Sequence, residues 1–275
     1  MAILAVHGIG TQQLGRQQLV KAWAPALGDG LERALGRKVD PGPVLDIAFY
    51  GDVFLPMLPG TNKAGGHGED VFAGLSDVEV EELAEEVAAE LDPADQAAAR
   101  EGVGKAYTRV PRPMQTVLRA LDRRFGPSAG VLHIGVFRQV KKYLTEATLK
   151  ARVDARVAQA AADCQVLLGH SLGSVVAYEY LRQHPHHRPA FITLGSPLGL
   201  RMVRERLPAG QPQVLEWTAV RDPRDPVACA GDLAGWWPGV RDRQVNNGND
   251  AHSVLRYLSK KEAGHAIAGA LSELT

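Results

Sequence analysis

Short apolar runs closed by glycine or polar turns alternate along this chain with longer stretches whose apolar residues recur every three or four positions. Ile3 to Val6 is continuously apolar and runs into His7-Gly8, as a strand buried on both faces would. Leu19, Trp23, Leu27, Leu31 and Leu35 stand four apart and predict a helix over 17–35, which Pro25 and Gly28-Asp29-Gly30 threaten to break. A second strand is expected over 44–50. The stretch 56–74 holds Gly65, Gly66 and Gly68 and is expected to be a loop.

The texture then changes. Val80, Leu83, Val87 and Leu91 mark one face of an acidic helix, and Met114, Val117, Leu118 and Leu121 a second stripe beyond Pro111 and Pro113. Ile134, Phe137, Val140 and Leu144 form a third stripe, and Leu149, Val153 and Val157 a fourth. Alternation resumes with a strand over 165–168, a helix over 172–182 and a strand over 190–194. A short helix over 199–207, a strand over 214–220 and a closing helix with Val254, Leu255 and Leu258, extended toward Ile267 and Leu271, complete the pattern. Strands alternating with helices imply an α/β fold, a mostly parallel central sheet flanked by helices. The whole chain, 1–275, is expected to be a single domain with a mainly helical insertion at about 56–144.

Composition narrows the partners. Lys+Arg and Asp+Glu are equal at 31 each, so the net charge is zero, and no basic stripe offers itself to nucleic acid or to an anionic membrane. Cys164 and Cys229 lack CxxC spacing and read as reduced thiols. The N-terminal run is short and lacks basic residues before it, and no stretch reaches the ~20 apolar residues of a membrane span. A soluble, cytoplasmic protein without a transmembrane segment is expected, with no cofactor and no metal.

The candidate chemistry lies in Gly169-His170-Ser171-Leu172-Gly173, a G-x-S-x-G run between an expected strand and an expected helix. A serine held on so tight a turn needs small neighbours two residues away on either side, and the following helix aims free N–H groups at a developing oxyanion. Serine also needs a base and an acid that orients it. Asp222 and Asp225 are the downstream carboxylates near a strand end. Among His184, His186, His187, His252 and His265, the first three sit at the wrong end of the helix after Ser171, where a solvated terminus explains them. His265 lies inside a helix, whereas His252 follows a polar loop and opens the last helix, where a base belongs. An oxyanion hole needs two backbone N–H groups: one from Leu172, the other from the loop His7-Gly8-Ile9-Gly10 after the first strand.

His7-Gly8-Ile9-Gly10, Gly169-His170-Ser171-Leu172-Gly173, Thr193-Leu194-Gly195-Ser196-Pro197-Leu198, Asp225-Pro226-Val227 and Ala251-His252-Ser253 together resemble the lipase/esterase branch of the α/β-hydrolases. The set is similar to small bacterial lipases and to lipase-like hydrolases related to inositol-deacylating enzymes. The resemblance implies the α/β-hydrolase fold, places the second oxyanion N–H on Ile9 and favours Asp225 over Asp222 as the acid. It covers both ends of the chain and leaves out about 56–144. Two departures accompany it: the leading antiparallel strands of larger relatives are missing, and the insertion exceeds what a minimal lipase needs. A cap over the pocket is expected of that insertion, with an interface or plain outer packing as the alternative.

Other features carry less. Gly104-Lys105 departs from a P-loop, with Ala99 and Ala106 at required positions. Ser196 reads as packing or pocket wall. Trp236-Trp237 fits substrate contact or rim, and Val53-Phe54-Leu55-Pro56-Met57-Leu58 fits an acyl pocket or plain core. The leading expectation is hydrolysis of a carboxylic ester of a small or lipid-like acyl substrate through an acyl-enzyme. The same residues would serve a thioesterase, peptidase or acyl transferase. The alternative of another class is a catalytically silent scaffold whose insertion binds a partner.

Overall fold

Six strands, β1 (Ile3–Val6), β2 (Leu45–Ala48), β3 (Val166–His170), β4 (Ala190–Leu194), β5 (Trp217–Arg221) and β6 (Arg241–Gln244), pair in the order β2-β1-β3-β4-β5-β6, every pair parallel. This computed structural model describes residues 2–42, 44–55, 76–95, 97, 112–161 and 163–271. The inner strands are apolar at nearly every position because both faces of the sheet are covered. Ile3 and Ala5 point to one face, Leu4 and Val6 to the other.

On the first face lie α1 (Arg16–Leu35), α8 (Val254–Leu258) and α9 (Lys261–Ala270), packed over Ile3, Ile47, Val166 and Ile192. Helix α1 runs unbroken through Pro25. Gly30 explains the glycines that seemed to threaten it: a Cβ there would strike Leu258 O, so the glycine lets the closing helices approach α1 closely. The expected single closing helix is two, with Ser259 and Lys260 between them.

The second face carries α5 (Ala147–Ala161) and α6 (Leu172–Gln183), and beyond them α2 (Asp77–Ala88), α3 (Arg112–Phe125), α4 (Ala129–Thr145) and the short α7 (Arg201–Arg206). The apolar stripes expected between 80 and 157 are buried, apart from a half-buried Leu144. They share one continuous core with Leu4, Val6, Leu167 and Phe191 of the sheet. The described part of the insertion is therefore packed onto the sheet domain and has no separate core.

Polar bonds fix its register. Tyr143 on α4 donates to Asp154 on α5 at 2.6 Å, and Lys150 and Arg182 converge on the buried Glu179 of α6 at 3.1 and 3.0 Å. Glu86 on α2 bridges Lys141 on α4 and Arg206 on α7.

Strand β6 had no sequence signal. Its residues, Arg-Asp-Arg-Gln, are those of a charged edge strand, and Arg221 of β5 grips its Asp242 at 2.8 and 2.9 Å. Among the described residues no helix is long and apolar enough to cross a membrane. The loop expected over 56–74 and the Gly104-Lys105 pair lie outside the described residues, as do positions 56–58 of the run from Val53; Val53 itself is core.

Candidate active site

From β1 the chain moves outward to β2, whereas from β3 it moves the opposite way to β4. The loops after β1 and β3 therefore leave the sheet at its topological switch point, the usual binding position in open parallel sheets. His7–Gly10 and Ser171 pack against each other there: a Cβ on Gly8 would stand 2.7 Å from Ser171 Cβ.

Ser171 has φ 54° and ψ −131°, a backbone that side-chain-bearing residues rarely adopt. The turn survives because its neighbours are glycine. A Cβ on Gly169 would stand 2.5 Å from Ser174 Cα, and one on Gly173 would lie 2.5 Å from His7 O and nearer still to Val6 O. The turn is also bonded in place, since Ser171 N–H donates to Leu194 O at 3.1 Å and its carbonyl accepts from Ser174 N–H at 2.9 Å and Ser174 Oγ at 2.6 Å. Ser174 Oγ in turn lies 2.7 Å from Ser196 Oγ, which explains Ser196 as a brace of the elbow. Ser171 Oγ is buried and has no hydrogen-bond partner among the described residues.

Asp225 and His252 come together from loops after β5 and before α8. His252 Nδ1 lies 2.9 and 2.8 Å from the two oxygens of the fully buried Asp225, which also accepts from Val227 N–H at 2.8 Å and Tyr257 O–H at 2.8 Å. With Nδ1 donating to the carboxylate, the lone pair falls on Nε2, which is buried and unpartnered among the described residues. Ser171 Oγ and His252 Nε2 are not hydrogen-bonded to each other. His170, next to Ser171, packs its ring at a tilt against His252 with centroids 4.7 Å apart and donates from Nε2 to His252 O at 2.9 Å. Burial holds His170 well below the ordinary histidine range, so it acts as a neutral brace.

Asp222 does other work. It accepts from Arg224 N–H, Nε and a terminal guanidinium nitrogen, and from Asn247 N–H. Burial opposes its ionisation, but the bonds from Arg224 and Asn247 outweigh burial and hold the carboxyl below its usual value. It makes no bond to His252 and organises the loop instead. Tyr257 joins the two carboxylate positions: its hydroxyl donates to Asp225 and accepts from Asp222 N–H at 2.9 Å.

Beside the elbow, Ile9 N–H and Leu172 N–H make no hydrogen bond among the described residues. Their loop is held rigidly. His7 Nε2 accepts from Tyr50 N–H at 3.1 Å, its Nδ1–H donates to Gly8 O at 2.8 Å, and Tyr50 O–H donates to His7 O. Burial lowers His7 to about 4, so the ring stays neutral and can bond in both directions.

Among the described residues of the insertion, His133 reaches this site. His133 on α4 is buried, and its Nδ1–H donates to Pro226 O, next to Asp225, at 2.6 Å. No motif marks Tyr257 or His133, and the run around Ser171 contains His170 without revealing its bracing role. Each sits among apolar residues of a helix or strand, and a polar group within an apolar stripe is the local signal they give.

The remaining histidines and the tryptophan pair take separate places, and Trp237 is core where a rim or substrate contact was expected. His187 bonds Cys164 O and Tyr180, and His184 bonds Tyr180 O at the end of α6. His265 is exposed on α9. Trp237 is buried and donates to Tyr178, whereas Trp236 is partly exposed beneath Arg204. No metal-binding cluster occurs among the described residues. Comparison with family models, with curated proteins and with solved structures finds no match to this chain.

Proposed function

We propose that this protein is a serine hydrolase of the α/β-hydrolase type that cleaves a carboxylic ester through an acyl-enzyme intermediate. The observation that carries the reading is the Asp225–His252 bond, which leaves a buried, unpartnered Nε2 in the same site as the strained Ser171 elbow. In this reading Ser171 Oγ attacks the acyl carbon while His252 Nε2 takes its proton. The imidazolium, steadied by Asp225, returns that proton to the departing alkoxide. Ile9 and Leu172 N–H groups receive the oxyanion. Water, activated by the same histidine, then releases the acid and restores Ser171.

The reading does not require a Ser171–His252 hydrogen bond before substrate binds, because catalytic bonds often tighten only in the reacting complex. The insertion serves as a cap whose anchor is the His133–Pro226 bond. The cysteines are unpaired, which suits a reducing compartment such as the cytoplasm.

A fluorophosphonate probe tests the reading. Folded wild type is expected to label at Ser171, and Ser171→Ala to abolish labelling. A folded wild type that does not label overturns the hydrolase and leaves the silent scaffold. Chain-length series of esters, thioesters and peptides then separate the esterase from its relatives in chemistry.

A further inference from the structure

His133 has a second ring nitrogen that the fold does not use. Pro226 O can only accept, so the Nδ1 facing it carries the proton. A neutral ring has one proton, which leaves Nε2 a bare acceptor. Burial favours that neutral form, and the ring is near enough to both Asp225 and His252 to feel their charges. Nε2 is buried and has no hydrogen-bond partner among the described residues. Ser171 Oγ and His252 Nε2 share that condition, as do single atoms of Asp52, Glu86, Arg119 and Asn247, but His133 is the one of these other residues bonded to the loop of Asp225 from the helical insertion.

Buried acceptors left without a donor are uncommon because they forfeit their hydration for nothing. The ring's position is also closely determined. Asp122 on α3 accepts from Gly130 N–H at 2.8 Å, and a Cβ on Gly130 would stand 2.8 Å from a Leu118 methyl, so the first turn of α4 sits directly on α3. Phe137, one helical turn on, flanks the imidazole with centroids 6.0 Å apart. Anchoring the acid loop needs one nitrogen only, and filling the core needs none.

We propose that His133 is a specificity residue of this site, its Nε2 accepting a hydrogen bond from a hydroxyl of the substrate. This rests on the hydrolase reading above and deepens it, because the preferred substrate becomes a hydroxylated ester in place of a plain alkyl ester. It also gives the helical insertion a share in choosing what is cut.

The test compares three butyrate-sized esters: propyl butyrate, monobutyrin with hydroxyls on the alcohol side, and propyl hydroxybutyrate with one on the acyl side. Wild type is expected to favour one hydroxylated ester over propyl butyrate by about tenfold or more in kcat/KM, the discrimination that one net hydrogen bond supplies. His133→Asn retains a nitrogen donor for Pro226 O and removes the Nε2 acceptor, so that ratio should fall toward one. His133→Phe should lose the ratio as well.

Fluorophosphonate labelling runs alongside. Labelling with equal turnover of all three esters by wild type overturns the role of His133 and leaves the hydrolase standing. Labelling with the ratio preserved in a folded His133→Asn does the same. Absence of labelling in folded wild type overturns both.

Discussion

Replacing Asp225 by asparagine puts the proposed triad under the most direct strain. The side chain keeps its size, so the change is one of hydrogen-bond polarity. The carboxylate now serves three donors, Val227 N–H, Tyr257 O–H and His252 Nδ1–H, all between 2.8 and 2.9 Å. Asparagine has a single acceptor oxygen. Val227 N–H is fixed backbone and claims that oxygen at the Oδ1 position, which turns the amide NH2 toward Tyr257 and His252. The tyrosine hydroxyl can adapt by accepting. His252 Nδ1 then faces a donor, and the ring shifts to the tautomer with its proton on Nε2, which cannot take the Ser171 proton. The imidazolium of the transition state also loses its counter-charge.

Together these effects should lower kcat on the order of 10⁴-fold, equivalent to about 5 kcal/mol. Asp222→Asn, which loses its bonds to Arg224 and touches no part of His252, should cost less than about tenfold. The assay is kcat and kcat/KM on para-nitrophenyl butyrate, with thermal melts to show that both variants fold. If Asp225→Asn stays within tenfold of wild type, or Asp222→Asn shows the larger loss, this account of the acid is wrong.

Three further outcomes follow from the same contacts. Tyr257→Phe removes a donor from Asp225 and strands the buried Asp222 N–H, so a loss of about 1–3 kcal/mol in urea denaturation is expected, together with reduced kcat; unchanged stability would refute the bridge. Glu179→Ala leaves Lys150 and Arg182 without their shared partner between α5 and α6 and should destabilise by roughly 3 kcal/mol in the same assay, whereas a neutral result would make that pairing dispensable. His7 is held at about 4 against 6.5 in the unfolded chain, so only the unfolded state binds its proton between those values. Stability from His7 is then full above pH 6.5 and falls by roughly 3 kcal/mol as pH drops to 4, with His133 and His170 acting in the same direction; urea midpoints across that range should flatten in His7→Asn, and identical slopes would contradict a neutral buried His7.

Much of the molecule is legible in the chain because its causes are local. Continuous apolar runs announce strands covered on both faces, and the helical stripes from Val80 to Val157 are buried where their spacing puts them. Gly169 answers a clash within the turn itself, so the elbow is readable in five residues, although the clash that Gly173 avoids comes from Val6 and His7 on the neighbouring strand. Other features have causes that no local pattern holds. Strand β6 is polar because it is an edge, and its place depends on Arg221 reaching Asp242. Gly30, which looks like a helix breaker in α1, is the contact point for α8 and α9, and Gly28 gives room to Val39 and Pro41.

Residue type and chain order narrowed the acid to two aspartates, and a resemblance favoured one of them. Only the fold brings His252 to Asp225 across 27 positions and leaves Asp222 to Arg224. The bond from His133 to Pro226 spans 93 positions and joins the insertion to the acid loop. The sequence by itself thus determined five of the six strands, the elbow and the kinds of group available for chemistry, since sterics and periodicity act within a few residues. Which of those groups meet, and which nitrogen or oxygen is left unpaired where they meet, is decided by packing between distant segments, and only the tertiary structure holds that.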